Sequence, residues 1–292
     1  MNDQPPVIYG IIGNPLSHTL SPLMHNAAFK ALKVNAVYKP FPIEEDELKL
    51  FLEDLKEADN PILGLNVTIP YKEKILPFMD GANAFAEKVG AVNTIVINRQ
   101  RKLFGYNTDG PGFLSHLKES GFSPGGKRIA ILGAGGTTRA ILSSLTLFDE
   151  RPESIRLYNR TLSTAKELLE DLSRRLDMSL VEVVPTVDDL NIELADCLIN
   201  TTSIGLKPTD ECIVDPDMLH KEMFVYDVIY NPGETKLLKL AKEKGAQTVN
   251  GLGMLYFQGV LSFQHWANLQ LDERVKTIMR QALEKGVGHA GT

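Results

Sequence analysis

Residues 128–140, RIAILGAGGTTRA, constrain this chain more than any other segment. An apolar run, Ile129 to Leu132, leads into Gly133-Ala134-Gly135-Gly136, and a helix-forming stretch follows. A buried strand that turns on glycine and opens a helix can hold a pyrophosphate. The first glycine permits the tight turn and the second lets the backbone approach the phosphates. The free N–H groups and positive dipole end of the helix face the anion. Glycines also make ordinary loops, but here the strand before and the helix after supply the confirming context. The candidate pyrophosphate-binding residues are Gly133, Ala134, Gly135, Gly136 and Thr137. Thr138 stands where the common pattern has a third glycine.

The next strand, SIRLYN (154–159), decides which dinucleotide. NAD-type sites place a carboxylate at its end for the ribose 2′-hydroxyl. This chain has Asn159-Arg160-Thr161 instead. A carboxylate would repel a 2′-phosphate, whereas an arginine pairs with one through its planar fork. The cofactor expected is therefore NADP. Arg160 as a plain solvated residue is the alternative, and it leaves the missing acid unexplained.

Around this motif, strands alternate with helices. Apolar β-rich runs occur at 7–13, 37–43 and 62–70, and a hairpin is expected from 93–98 and 101–107. A helix opens at Ser21-Pro22, with serine as N-cap. A second unit begins near Asp109. It carries strands at 127–133, 154–159, 181–184, 196–202, 224–229 and 246–249 with helices between them. Such alternation means crossover connections and a parallel sheet covered on both faces. The final segment from Gly251 reads as helical, and its last residues, GVGHAGT, as a loose tail.

Composition narrows the function classes. The 31 basic and 37 acidic residues give a net charge of −6, which argues against bulk nucleic-acid binding. Gly245 to Leu271 lacks any charged Asp, Glu, Lys or Arg, but Gln258, Gln264, His265, Asn268 and Gln270 argue against a membrane span. MNDQPPVIYG has no basic region of a secretory signal, and the two cysteines, Cys197 and Cys212, make no disulfide framework. A cytoplasmic protein without membrane or nucleic-acid partners is expected, and without a metal. Zinc-dependent alcohol oxidation would need Cys and His ligands that are not clustered here. None of the eight tyrosines has a lysine four residues on, so the short-chain dehydrogenase pair is missing. The six histidines are scattered and read as surface or packing residues.

What remains are polar groups at strand ends. NVTIPYK (66–72) places Asn66 and Thr68 on one strand face with Lys72 beyond it. AVNT (91–94) and NTDG (107–110) place Asn93, Thr108 and Asp109 beside helix or strand starts. Singly, each has an ordinary explanation as a turn residue, a cap or a solvated charge. Together they put polar groups where α/β proteins hold ligands.

With GNPLSHTLSP (13–22), NTTSIG (200–205), YDVIYNP (226–232) and GLGMLYFQG (251–259), these motifs make the chain resemble the shikimate dehydrogenase family along nearly its whole length. The resemblance implies an α/β enzyme of two domains with its active site in the cleft. One is an N-terminal α/β substrate domain, 1–108 with 251–292. The other is an NADP-binding Rossmann domain with a parallel sheet, 109–250. It implies NADP-dependent reversible reduction of 3-dehydroshikimate to shikimate, a step of aromatic amino-acid biosynthesis by way of chorismate. Lys72 and Asp109 are the implied catalytic pair. Thr19, Ser21 and Tyr230 would hold the substrate carboxylate, and Asn66, Thr68, Asn93 and Gln258 its hydroxyls. Val228, Gly251 and Met254 would lie on the nicotinamide side, beside the cofactor residues Asn159, Arg160 and Thr161.

Two departures keep alternatives open. Thr19 replaces the family's usual serine, and Thr164 stands where NADP-specific members often carry a second basic residue, with Lys166 two further on. A quinate/shikimate dehydrogenase preferring NAD is one rival. A non-catalytic NADP-binding paralogue is another, which the intact Lys72 and Asp109 oppose. Monomer and homodimer are equally open.

Overall fold

The computed structural model describes residues 5–16 and 19–290. Ser17 and His18 of the GNPLSHTLSP motif, Met1 to Gln4 of the N-terminal run, and Gly291 and Thr292 of the tail lie outside them. By packing, the chain divides into two units, one of Met1–Gly112 with Leu255–Gly288 and one of Phe113–Met254.

The first unit opens with β1 (Val7–Gly13), α1 (Ser21–Leu32), β2 (Ala36–Pro42), α2 (Leu48–Asp54) and β3 (Ile62–Val67). It continues with β4 (Gly81–Ala82), α3 (Ala84–Val89), β5 (Thr94–Ile97) and β6 (Leu103–Tyr106). The six strands form one mixed sheet in the order β2-β1-β3-β5-β6-β4. β1 runs parallel to β2 and β3, while β5 and β6 form the expected antiparallel hairpin. Ile12, Leu52, Leu65, Ile75 and Ile95 fill the core beneath the sheet. β3 ends at Val67, earlier than the expected Pro70, so Thr68 lies past the strand and Lys72 in the turn that follows. Ser21 is the first residue of α1 rather than its cap. The N-cap position falls to Leu20, and the Thr19 hydroxyl accepts from the Ser21 N–H at 3.4 Å. A hydroxyl two residues earlier thus does the work expected of Ser21.

α4 (Asp109–Glu119) follows, and the second unit is built from β7 (Arg128–Leu132), α5 (Gly136–Leu147), β8 (Ser154–Tyr158), α6 (Leu162–Ser173) and β9 (Val181–Val184). β10 (Cys197–Asn200), β11 (Phe224–Asp227), α7 (Lys236–Glu243) and β12 (Gln247–Val249) complete it. Its sheet is wholly parallel, in the order β12-β11-β10-β7-β8-β9. The order reverses between β7 and β10. In doubly wound sheets, ligands bind at such a switch point, outside the carboxyl ends of the strands. The glycine loop after β7 stands there. Its strands are apolar runs because both faces are covered, with Ile131, Leu142, Leu157 and Ile199 fully buried on one side and Leu198 and Val225 on the other.

The chain ends in α8 (Leu252–Ala267) and α9 (Glu273–Ala290). The expected loose tail is a correction: residues up to Ala290 continue α9. The reason lies in packing. Val275, Met279 and Leu283 are fully buried. A Cβ on Gly286 would come within 2.6 Å of Leu23, so glycine there lets α9 press against α1. Among the described residues, no helix is long and apolar enough to cross a membrane.

Candidate active site

Within the first unit, the Lys72 ammonium lies 2.7 Å from Asp109 Oδ2. Their side chains are 13% and 7% exposed, so the pair is largely out of water. The other oxygen, Oδ1, accepts from the Asn93 amide at 2.8 Å. The carboxylate is therefore held from both sides, and the ammonium keeps two N–H groups beyond its bond to Asp109. Asp109 sits in the first turn of α4, where the helix dipole favours a negative charge. Asn107, not Thr108, caps that helix: its Oδ1 accepts from the Asp109 N–H at 3.1 Å and the Gly110 N–H at 3.4 Å.

Asn93 is at the centre of a wider network. Its amide also donates to Thr108 Oγ1 at 2.9 Å and Gln258 Oε1 at 3.4 Å, and its side-chain Oδ1 accepts from the Thr108 N–H at 2.7 Å. Gln258 comes from α8. A Cβ on Gly112 would lie 2.8 Å from the Gln258 nitrogen, so this glycine, one turn after Asp109, lets α4 and α8 approach closely. Asn66 is 4% exposed. Its amide donates to the Asn93 carbonyl, Thr94 Oγ1 and Ser262 Oγ at 3.0–3.2 Å, and its Oδ1 accepts from the Tyr38 hydroxyl at 2.7 Å. With those donors committed, the spare capacity of Asn66 is one lone pair on Oδ1.

The structure thus joins Lys72, Asp109, Asn93, Asn66 and Gln258, five of the residues singled out from the sequence. It adds Tyr38, Thr94, Thr108 and Ser262. Thr108 and Thr94 stand in the NTDG and AVNT motifs, whereas Tyr38 and Ser262 carry no local signal that distinguishes them from core residues. Thr68 is half-buried beyond β3 and outside this network. Thr19 and Ser21 stand at the N-terminus of α1, whose backbone N–H groups and dipole suit an anion. His25, buried among Tyr38, Phe263 and Trp266, has its pKa pushed down to about 3 by burial. It is neutral and packs as an aromatic ring.

The second unit holds the glycine loop. Gly133 has φ +104°, and a Cβ there would meet Thr201 Oγ1 at 2.5 Å. Only glycine fits. At Gly135 a Cβ would meet nothing within 4 Å, so the backbone is open on the side where a ligand approaches. Thr138, the residue replacing the third glycine, has a structural purpose. Its hydroxyl accepts from the Gly135 N–H at 3.1 Å and lies 2.7 Å from Thr201 Oγ1, which in turn donates to the Leu132 carbonyl at 2.6 Å. The threonine pair braces the loop from behind. Asn159 donates to the Thr161 carbonyl at 2.9 Å and shapes the turn after β8. Arg160 in that turn is exposed and pairs with no carboxylate among the described residues. An open glycine cradle at a helix N-terminus with an uncommitted guanidinium nearby fits a dinucleotide carrying a 2′-phosphate.

Val228 and Gly251 pack against each other in this unit, Met254 lies in its core, and Tyr230 is half-buried. Burial raises the pKa of the Tyr230 phenol, keeping it a neutral donor. Asp227, missed from the sequence, anchors this region. It is fully buried and accepts from Thr235 Oγ1 at 2.7 Å, Asn200 Nδ2 at 3.0 Å and the Ile229 N–H at 3.1 Å. Burial raises its pKa, against the pull of those donors. A Cβ on Gly251 would lie 1.9 Å from the Val228 carbonyl oxygen. Gly251→Ala is therefore expected to destabilise the fold by about 1–3 kcal/mol and to lower Tm by several degrees. An unchanged Tm in thermal unfolding would contradict that contact. Among the described residues, no group of three or more His, Cys, Asp or Glu side chains could hold a metal ion.

Comparison with known proteins bears on this arrangement directly. Residues 11–95 match the shikimate dehydrogenase substrate binding domain. The chain is 46% identical over 264 residues to a shikimate dehydrogenase (NADP(+)) of Carboxydothermus hydrogenoformans, covering 89% of this chain and 91% of that one. The chain belongs to the shikimate dehydrogenase family. Among solved members, the Aquifex aeolicus shikimate dehydrogenase superposes with a TM-score of 0.85 at 38% identity, covering 97% of this chain and 99% of that one. The Thermus thermophilus shikimate 5-dehydrogenase, solved with NADP(H) and shikimate, gives 0.80 at 32% identity over 96% of this chain and 99% of that one. The shikimate dehydrogenase fold thus extends over both units, and the matched substrate domain contains Thr19, Asn66, Lys72 and Asn93.

Proposed function

We propose that the chain catalyses the reversible, NADP-dependent reduction of 3-dehydroshikimate to shikimate. The buried Lys72–Asp109 pair, fixed by Asn93, is the observation that carries this assignment. When bound, NADPH supplies a hydride to the carbonyl carbon. As that C–H bond forms and the C=O π pair moves to oxygen, Lys72 Nζ gives its proton to the oxygen. Lys72 is left neutral and regains a proton from solvent. Asp109 keeps the ammonium in place through Oδ2 and takes a substrate hydroxyl proton as hydrogen-bond acceptor.

Thr19 and Ser21 bind the substrate carboxylate with the N-terminus of α1, and Tyr230 adds a hydroxyl. Asn66, Thr68, Asn93 and Gln258 bind the ring hydroxyls. Gly133, Ala134, Gly135, Gly136 and Thr137 hold the pyrophosphate, and Asn159, Arg160 and Thr161 the 2′-phosphate ribose. Val228, Gly251 and Met254 face the nicotinamide. Residues 1–108 with 251–292 act as the substrate domain and 109–250 as the cofactor domain. We place the enzyme in the cytoplasm, in the route to aromatic amino acids; its two cysteines are free thiols. The test is a spectrophotometric assay of purified protein with shikimate and NADP. Appearance of reduced nicotinamide is expected, and none with either NADP or NAD would overturn the assignment.

A further inference from the structure

Ser262 belongs to none of the motifs above, yet it touches as many residues of the substrate-side network as Asn66 does. It is fully buried on α8. Its hydroxyl donates to the Gln258 carbonyl, one helical turn back, at 2.8 Å. A mid-helix serine commonly does that and no more. Here three other groups reach the same oxygen from distant parts of the sequence. They are Asn66 Nδ2 at 3.0 Å, Thr94 Oγ1 at 2.8 Å and Thr108 Oγ1 at 3.1 Å.

The proton count fixes the directions. A serine hydroxyl has one proton and two lone pairs. With its proton on the Gln258 carbonyl, Ser262 must accept from Thr94, so the single Thr94 proton points to Ser262 rather than to Asn93 Oδ1 at 3.1 Å. Asn66 fills the second lone pair. Thr108 then spends its proton on Asn93 Oδ1, 3.2 Å away. One oxygen thereby sets the amide plane of Asn66 and the hydroxyl rotors of Thr94 and Thr108, and through them Asn93. It also fixes the α8 turn that carries Gln258.

We infer that Ser262 is a positioning residue for the shikimate-binding amides Asn66, Asn93 and Gln258, an inference that rests on the function proposed above. It touches no substrate itself. Its loss removes the acceptor that Asn66 and Thr94 share, so the Thr94 hydroxyl turns to Asn93 Oδ1 and the Asn66 amide falls back on the Asn93 main-chain carbonyl and Thr94 Oγ1, at the expense of substrate contacts. The effect falls on shikimate affinity and spares both the Lys72–Asp109 pair and the cofactor loop.

The test compares steady-state kinetics and Tm of wild type, Ser262→Ala, Ser262→Cys and Val260→Ala. Val260 is also buried on α8 and lies outside the network. For Ser262→Ala, KM for shikimate is expected to rise about tenfold, the equivalent of one lost hydrogen bond. Its kcat should change by less than about threefold, and KM for NADP not at all. Val260→Ala should lower Tm and leave KM for shikimate unchanged. If the alanine variant does not fold, Ser262→Cys, of similar volume but a poor hydrogen-bonding partner, is judged by the same KM rise. An active wild type whose Ser262 variants keep KM within about twofold overturns the inference, as does an equal KM rise in Val260→Ala. A wild type that does not oxidise shikimate overturns the proposed function and this inference with it.

Discussion

Lys72→Ala is expected to lower kcat by about 10²–10⁴-fold, the range that a positioned proton donor contributes, while NADPH affinity stays close to wild type. The ammonium is 2.7 Å from Asp109 and the pair is mostly buried, so its removal strands a carboxylate held then by Asn93 and the N-terminal turn of α4. Breaking such a pair costs ~3–5 kcal/mol, and assays must therefore run well below the lowered Tm. Lys72→Arg separates the two effects. A guanidinium keeps the charge beside Asp109 but does not release a proton at accessible pH. It is expected to recover much of the lost stability and little of the lost kcat. Rapid-mixing or steady-state kinetics with NADPH titration reads both. A lysine variant that keeps kcat and loses NADPH binding would mean that Lys72 is structural.

Arg160→Ala is expected to weaken NADPH about 10–100-fold and NADH by less than about twofold. Only NADPH carries the 2′-phosphate, and a charged hydrogen-bond pair is worth ~1.5–3 kcal/mol. Arg160 is exposed and uncommitted, so its fork is available without breaking an internal bond. Thr164 stands at the second basic position, so the proposed clamp rests on Arg160. Adding a cation there, Thr164→Arg, should raise NADPH preference. Equal losses of NADPH and NADH affinity in Arg160→Ala would contradict the clamp.

Much of the fold was legible because its signals are local. The parallel sheet of the second unit follows from apolar strands alternating with helices, and the glycine loop from residues that only one turn geometry accommodates. The misreadings have local causes too. The short helix α3 was passed over although Asn83 caps it and Gly90 ends it in a left-handed turn. Its six residues are too few for a visible periodicity. Gly286 and Gly288 read as a frayed tail, because glycine lowers helix propensity and the neighbour that makes Gly286 useful, Leu23, is far away in sequence. The candidate site divides along the same line. Lys72, Asp109 and Asn93 stand in compact motifs. Tyr38 and Ser262 are ordinary residues on ordinary elements, and their importance arises from hydrogen bonds that span up to 196 positions. Thr138 shows the reverse case: a departure from the common glycine pattern is a brace, visible only once Thr201 is beside it.

The most direct measurement is a four-way comparison of kcat/KM for shikimate and quinate, each with NADP and with NAD. Shikimate with NADP should give the highest value, with NAD lower by the 2′-phosphate term and quinate lower again. The Thr19 methyl, at the proposed carboxylate end, makes quinate the informative competitor. A highest value for quinate with NAD, or no turnover of shikimate with either cofactor, would contradict the assignment.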